Sequence, residues 1–149
     1  MPEKAKISKN HYGLFNQDVF IEWKPEYNLG IPIIDEQHRG IVTTINSLYY
    51  GMQNNHGEDM LTPVIAMVHE YTYLHFEVEE DFLRYYKYPN LKQHQELHSE
   101  LVDELSIIKE KSMWDQDPQK FLEFLKKWWI EHICENDREF LKYLIATLR

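Results

Sequence analysis

The stretch from His75 to His98 reads HFEVEEDFLRYYKYPNLKQHQELH and suggests both an architecture and a site. His75 and Glu79 stand four residues apart, as do His94 and His98. A four-residue step returns to within about 40° of the same helix face, so each pair lies along one stripe. The turn signal at 88–90 makes the two helices antiparallel neighbours whose stripes can face each other. Imidazole and carboxylate groups in an apolar interior are costly unless they are paired or bind a metal. The stretch therefore predicts half of a metal site.

Apolar periodicity and capping signals along the rest of the chain predict an all-α protein. We see no strand alternation and no internal repeat. Four helices joined by short loops give an up-down-up-down four-helix bundle. The predicted helices run from near Asp35 to about Gln53, from about Leu61 (with Pro63 in its first turn) to about Tyr86, from Leu91 to about Met113, and from Asp117-Pro118 to Leu148 with a kink beyond Asp137.

The N-terminal part lacks this periodicity. Residues 1–15 are polar and lysine-rich and predict a flexible arm, so the bundle domain is assigned to 16–149. Residues 16–32 predict an irregular segment held against the bundle by Phe20, Ile21 and Trp23.

Composition limits the partners of the chain. A net charge of −9 over 149 residues argues against nucleic acid or an anionic membrane as a partner, since both require clustered basic surface. The longest apolar run is far shorter than the roughly 20 residues of a membrane-spanning helix, and no secretory signal is visible. The single cysteine, Cys134, fits a reducing cytoplasm. The sequence does not fix the oligomeric state, and a monomer is favoured.

The other half of the site is expected on the outer helices. His38 falls in the first turns of helix one, and His132 and Asp137 fall near the end of helix four. Five residues are about 140° around an ideal helix, so Asp137 must reach inward from a distorted or terminal turn. The full set is five imidazoles and two carboxylates from four helices.

This set of ligands favours a dinuclear first-row metal site, with iron as the first expectation and manganese as the second. A structural zinc needs only four ligands, and calcium or magnesium prefers oxygen. Zinc proteases need His-Glu-x-x-His, which His94-Gln-Glu-Leu-His98 and His69-Glu70 do not provide. The Glu-x-x-His pairs of ferritin-like sites are absent from the sequence.

The motifs DEQH at 35–38, HFEVEE at 75–80, HQELH at 94–98 and WWIEHICEND at 128–137 resemble the hemerythrin family, specifically its bacterial type, over about residues 16–149. The resemblance implies two iron ions, joined by a bridging oxo or hydroxo group and by two carboxylates. It implies that one iron is held by His94, His98 and His132, and that the other is held by His38 and His75. Glu79 and Asp137 would bridge the two irons. The second iron then has an open coordination position, where dioxygen, or azide as its mimic, would bind.

Several side chains are candidates for lining the oxygen pocket, although ordinary core packing explains them equally well: Val42, Ile45, Tyr71, Leu101 and Val102. Trp129 departs from the family pattern, which usually has leucine three residues before the last histidine ligand. We expect Trp129 to fill the pocket or narrow access to it, unless it points outward while Trp128 stays inside.

The leading functional expectation is reversible dioxygen binding for storage, delivery or buffering, without catalysis. A sensor with the same site is the main alternative, although the sequence shows no output domain. An enzyme that processes peroxide or nitric oxide would need a proton donor near the open position, and none is evident. A metal-free bundle would bury seven uncompensated polar groups at a cost of several kcal/mol.

The remaining histidines (His11, His56 and His69) are not assigned to metal. Glu77, Glu80 and Asp81 are expected on a solvated face, although Glu80 could support a ligand.

Overall fold

The structure is a computed structural model that describes residues 19–148, apart from the side chains of 133 and 134. Within that range it contains helices and no strand, so the predicted all-α class is confirmed. The long elements are α1 (Pro32–Gln53), α2 (Gly57–Tyr85), α3 (Leu91–Asp115), α4 (Pro118–Glu131) and α5 (Asp137–Thr147). A short 3-10 helix covers Pro25–Tyr27, and a π-helical segment covers His132–Asn136. The predicted arm, 1–15, lies outside the described residues.

Two boundaries differ from the sequence prediction. α1 begins at Pro32, whose fixed φ suits the first helical position, rather than near Asp35. α2 begins at Gly57, four residues before the predicted start, so Pro63 lies inside the helix and not in its first turn. The missing N–H of Pro63 removes one hydrogen bond close to the helix terminus, where neighbouring turns still hold the backbone.

The connection between α2 and α3 fixes how their stripes meet. Lys87 adopts a left-handed conformation with φ of 55°. The Tyr88 N–H then donates to the Leu83 carbonyl at 2.9 Å, and the Lys87 N–H donates to the Arg84 carbonyl at 3.1 Å. These two bonds form a Schellman motif, which ends α2 sharply. Only five residues separate α2 from α3, so the two helices run side by side.

The predicted fourth helix consists of two α-helices with a π-helical segment between them. The interruption begins at His132, five residues before the expected kink at Asp137. A π-helix has a wider turn than an α-helix, because it inserts one residue and changes the direction of those that follow. Such segments occur frequently at functional sites.

The interior holds two apolar clusters with the polar residues between them. The larger contains Ile41, Phe76, Leu101 and Trp129 among its members, and the smaller is formed by Leu29, Ile34, Leu83, Tyr88, Phe140 and Leu144. On α1 the buried His38 falls between Ile34 of one cluster and Ile41 of the other. On the other helices, too, the predicted ligands lie between residues of one cluster and residues of the other. A polar layer therefore crosses the bundle between two apolar layers.

The irregular segment before α1 is fastened to the bundle by backbone hydrogen bonds. Asn46 of α1 accepts from the Ile21 N–H at 2.8 Å and donates to the Ile21 carbonyl at 2.9 Å. The Arg39 guanidinium lies 5.0 Å from the centre of the Trp23 ring. No helix among the described residues is both long enough and apolar enough to cross a membrane.

The buried Asp35 ties this segment to the start of α1. Its two carboxylate oxygens accept from the N–H groups of Leu29 and Gly30 at 2.8 and 3.0 Å. We predict that Asp35→Ala lowers the free energy of unfolding by about 2–4 kcal/mol, because both donors lose a charged partner. Urea unfolding of the metal-free protein measures this. Glu36→Ala, at the exposed neighbouring position, is the control and should change stability by less than about 0.5 kcal/mol. Equal effects of the two substitutions would contradict this role for Asp35.

Candidate metal centre

The structure brings the seven predicted ligand side chains together. All are buried, with exposed fractions from 0% to 7%. Their nitrogen and oxygen atoms form two sets, each lying within 4.8 Å, that share Glu79: His38, His75, Glu79, His132 and Asp137 in one, and Glu79, His94 and His98 in the other. The predicted positions therefore converge on one cluster that contains two candidate metal-binding sets.

Distances between neighbouring donor atoms suit a shared metal ion. The Nε2 atoms of His38 and His75 are 3.2 Å apart. Two ligands that meet a first-row ion at a right angle, with bonds of about 2.1 Å, are about 3.0 Å apart. Several of the buried nitrogen and oxygen atoms that could bind a metal also lack any hydrogen-bond partner among the described residues: His132 Nε2, Glu79 Oε2 and both carboxylate oxygens of Asp137. Unpaired buried acceptors are costly, and a cation would satisfy them.

Each carboxylate faces two pairs of histidines. One pair is His38 and His75, from α1 and α2, and the other is His94 and His98, from α3. Glu79 Oε2 lies 3.3 Å from His75 Nε2, while Glu79 Oε1 lies 3.1 Å from His98 Nε2. Asp137 Oδ2 lies 3.1 Å from His38 Nε2, while Asp137 Oδ1 lies 3.8 Å from His94 Nε2. One oxygen of each group is thus directed to each pair, which is the arrangement that a carboxylate bridge between two ions requires.

His132 lies between the two pairs. Its ring centre is 5.5 Å from that of His98 and 5.7 Å from that of His75. Its Nε2 atom is 3.3 Å from Asp137 Oδ2, the oxygen that also faces His38. The family resemblance assigns His132 to the ion of His94 and His98, and that assignment stays a prediction.

The π-helical segment explains how Asp137 reaches the site. The Asp137 N–H donates to the His132 carbonyl, a bond between residues five apart. An α-helix would place the two side chains about 140° apart, but the wider π turn returns the fifth residue to nearly the same face. The distortion required by the sequence spacing is therefore a local insertion in the helix between His132 and Asp137.

Two neighbours fix the orientation of histidine rings. His75 Nδ1–H donates to Gln37 Oε1 at 3.0 Å, and His98 Nδ1–H donates to Glu80 Oε1 at 2.7 Å. Nδ1 of each ring is thus held by its acceptor, and Nε2 faces the site, as it does in a histidine that binds a metal through Nε2. Gln37 was missed in the sequence analysis, although it directly precedes His38 in the DEQH motif. Glu80 is partly buried and supports His98, whereas Glu77 and Asp81 are exposed.

Burial sets the protonation of the site. It lowers the pKa of His38 to about 3, helped by repulsion from His75, and lowers the pKa of His132 well below its usual value. Both imidazoles are then neutral at pH 7, which is the form that binds metals. Burial alone would raise the pKa of Glu79, but attraction to His75 and hydrogen bonds from neighbouring imidazoles hold it well below normal. Burial and the nearby Glu79 raise the pKa of Asp137 well above normal.

Aromatic rings cover the site. The Phe76 ring stacks on His98, with centres 3.8 Å apart and planes 7° apart, and Phe140 meets His94 edge-on at 5.5 Å. Trp129 is fully buried and its ring lies 5.0 Å from that of His38. The outward orientation considered for Trp129 is therefore wrong, and Trp128 is buried as well.

The other pocket candidates belong to the same apolar cluster as Trp129. Val42, Ile45 and Leu101 are buried in it, and Tyr71 and Val102 are partly buried against it. Tyr71 also packs over Gly40, where a Cβ atom would collide with its hydroxyl. His56 and His69 stand outside the ligand sets, with side chains 68% and 40% exposed. His11 lies outside the described residues.

The raised pKa of Asp137 makes a prediction for the metal-free protein. An Asp whose folded pKa exceeds its unfolded pKa stabilises the fold only at low pH, and that contribution is lost as the pH rises through the folded pKa. At pH 7 the wild type must keep this buried carboxyl group at a pH where it would be ionised in the unfolded chain, which lowers stability. Asp137→Asn removes the ionisable group, so we expect the metal-free variant to be more stable than the wild type at pH 7 by about 1–3 kcal/mol. Chemical denaturation in the presence of a chelator measures the difference. With iron present we expect the order of stability to reverse, because the variant lacks one of the predicted ligands.

The exposed Asp103 provides the matched control. Asp103→Asn should leave stability unchanged both with and without iron. A metal-free Asp137→Asn variant that is less stable than the wild type would contradict the electrostatic description of the site.

Comparison with known proteins identifies the family. The family model "Hemerythrin HHE cation binding domain" matches residues 29–144. A bacteriohemerythrin of Clostridium acetobutylicum is 34% identical over 125 residues, covering 80% of this chain and 97% of that protein. A bacteriohemerythrin of Stenotrophomonas maltophilia is 28% identical, covering 85% and 82%, and a myohemerythrin of Theromyzon tessulatum is 21% identical, covering 80% and 89%. The resemblance drawn from the motifs is confirmed, and the chain belongs to the hemerythrin family.

Proposed function

We propose that this protein binds dioxygen reversibly at a pair of iron ions, in a storage or delivery role. Membership of the hemerythrin family implies iron binding and supports a di-iron, dioxygen-binding protein at the level of the family. In our proposal His94, His98 and His132 bind one iron, and His38 and His75 bind the other. Glu79 and Asp137 bridge the two irons, together with an oxo or hydroxo group. The second iron keeps the open position.

The observation that carries the proposal is the buried ligand set, in which each of two carboxylates is directed to both histidine pairs. Bound iron would supply the redox chemistry that holds dioxygen. Imidazole ligands bring less negative charge than carboxylates and so stabilise high-valent iron less. A site with five imidazoles and two carboxylates therefore favours reversible binding over oxidative attack on a substrate.

The surroundings of the His38 and His75 rings favour binding over turnover. Outside the ligand set, their aromatic and hydrogen-bonding neighbours in the described part of the chain are Trp129, Phe76 and Gln37. None of these side chains exchanges a proton near neutral pH. The apolar cover would also slow the entry of the water and protons that release dioxygen from such a site as peroxide, a reduced product, and leave the iron oxidised. We accordingly assign no catalytic residue.

The same proposal includes the cellular setting. The single cysteine of the sequence suits a reducing compartment, and we propose the cytoplasm. We propose that the bundle domain spans 16–149.

The proposal predicts a reversible spectrum. Iron-loaded protein that is reduced without oxygen and then exposed to air should contain two irons per chain and develop a visible charge-transfer band. Removal of oxygen should abolish that band, and readmission should restore it. Metal analysis and absorption spectroscopy over several cycles measure both quantities.

Two variants locate the spectrum at the proposed site. His75→Ala removes one of the two histidines of the open iron and should abolish the oxygen-dependent band. His69→Ala, at an exposed position on the same helix, should keep it. Two irons that oxidise without a stable adduct would favour a sensor or an enzyme instead. Absence of iron uptake would exclude the metal site itself.

The buried Trp129 predicts restricted access to the open position. Its bulk lies against His38 and His75, at ring distances of 5.0 and 5.9 Å. Trp129→Leu should increase the association rate of azide with the oxidised protein by roughly tenfold, because a barrier lower by about 1.4 kcal/mol gives that factor. Stopped-flow absorption measures the rate. An unchanged association rate would show that Trp129 does not limit entry.

A further inference from the structure

We propose that the indole N–H of Trp129 is a hydrogen-bond donor to the small ligand bound at the metal of His38 and His75. This inference rests on the proposed function and adds a second role for the residue, which is retention of the ligand. The class of ligand that it favours is a small anion with a terminal acceptor atom, such as azide.

The indole ring occupies the side of the site formed by His38, His75 and His132. Its centre lies 5.0, 5.9 and 5.8 Å from the centres of those three rings. The contact with His38 is edge-to-face, with the planes at 87°. The side chain is 0% exposed, so the ring is fixed by packing within the larger apolar cluster, where that cluster meets the proposed ligands.

The nitrogen of this indole is buried without an acceptor among the described residues. An indole N–H can only donate, and leaving it unpaired costs about 1–3 kcal/mol. Most buried indole groups find a partner. The neighbouring Trp128 does so, because its Nε1–H donates to the Leu101 carbonyl at 3.3 Å. The two adjacent tryptophans therefore differ in one respect: one donor is used within the fold and the other is left for a ligand.

The surroundings strengthen such a bond. The site lies between apolar clusters, where a hydrogen bond is stronger than in water and competing water is excluded. A leucine at this position would supply bulk without a donor. An N–H beside an anion stabilises the negative charge, so Trp129 should slow the dissociation of anionic ligands, in addition to slowing their entry by its size.

The test separates entry from retention. Azide association and dissociation rates are measured by stopped flow on iron-loaded wild type, Trp129→Phe, Trp129→Leu and Trp128→Phe. Both substitutions at 129 remove the donor, and we expect the azide dissociation rate to increase by about tenfold in each. The association rate should follow side-chain size and increase more in the leucine variant. Trp128→Phe removes a donor whose partner is the backbone and should leave the dissociation rate within twofold of the wild type.

An infrared measurement on the wild-type protein gives a second result that does not depend on a variant folding. The antisymmetric stretch of bound azide should shift when the indole N–H is exchanged for N–D, and this shift should be absent in Trp129→Phe. No isotope shift in the wild type would overturn the inference, as would unchanged dissociation rates in both 129 variants. An effect on association alone would show a steric role only. If the wild type forms no azide adduct, the proposed function fails, and this inference fails with it.

Discussion

Seven polar side chains buried between two apolar clusters are the constraint on which the rest of the structure depends. Five imidazoles and two carboxylates with exposed fractions of 0% to 7% cannot be left unpaired in a protein interior at low cost. The carboxylates of Glu79 and Asp137 lie against several of the imidazoles, yet some nitrogen and oxygen atoms of the seven side chains have no hydrogen-bond partner in the described structure. The pair of cations that we propose would satisfy these atoms. The apolar clusters on either side hold the polar layer in place and keep water from solvating it.

The details of the backbone follow from that requirement. α2 and α3 carry their candidate ligands at the natural four-residue period of a helix, and a Schellman turn at Lys87 brings their faces together. The last helix could not direct two candidate ligands five residues apart to one site without a π-helical segment, and it contains one at 132–136. The site is also asymmetric. Phenylalanine rings cover His94 and His98, whereas an indole with an unused donor covers His38 and His75. In our proposal the chemistry of the open position therefore depends in part on Trp129, the residue that departs from the family pattern.

Much of this was readable in the sequence because it depends on helical period. The stripes on α2 and α3 and the all-α class follow from spacings that survive small errors in helix boundaries, and the family was recognised from its resemblance to four short motifs. The features that were missed depend on interactions between helices. The π turn has no periodic signature, so only the distance between His132 and Asp137 indicated a distortion. Gln37 looks like any polar residue until His75 of another helix meets it at 3.0 Å. Trp129 was predicted as a pocket residue, but an outward orientation stayed open, because period alone does not determine how α4 sits against its neighbours.

The most direct test of the central claim is crystallography of the iron-loaded protein with diffraction data collected at the iron absorption edge. This account predicts two anomalous peaks, both lying between the carboxylates of Glu79 and Asp137, with histidines from both helical pairs around them. A single peak, or peaks that one carboxylate does not touch, would contradict the dinuclear bridged site. Peaks only at the protein surface would show that the buried set is not a metal centre.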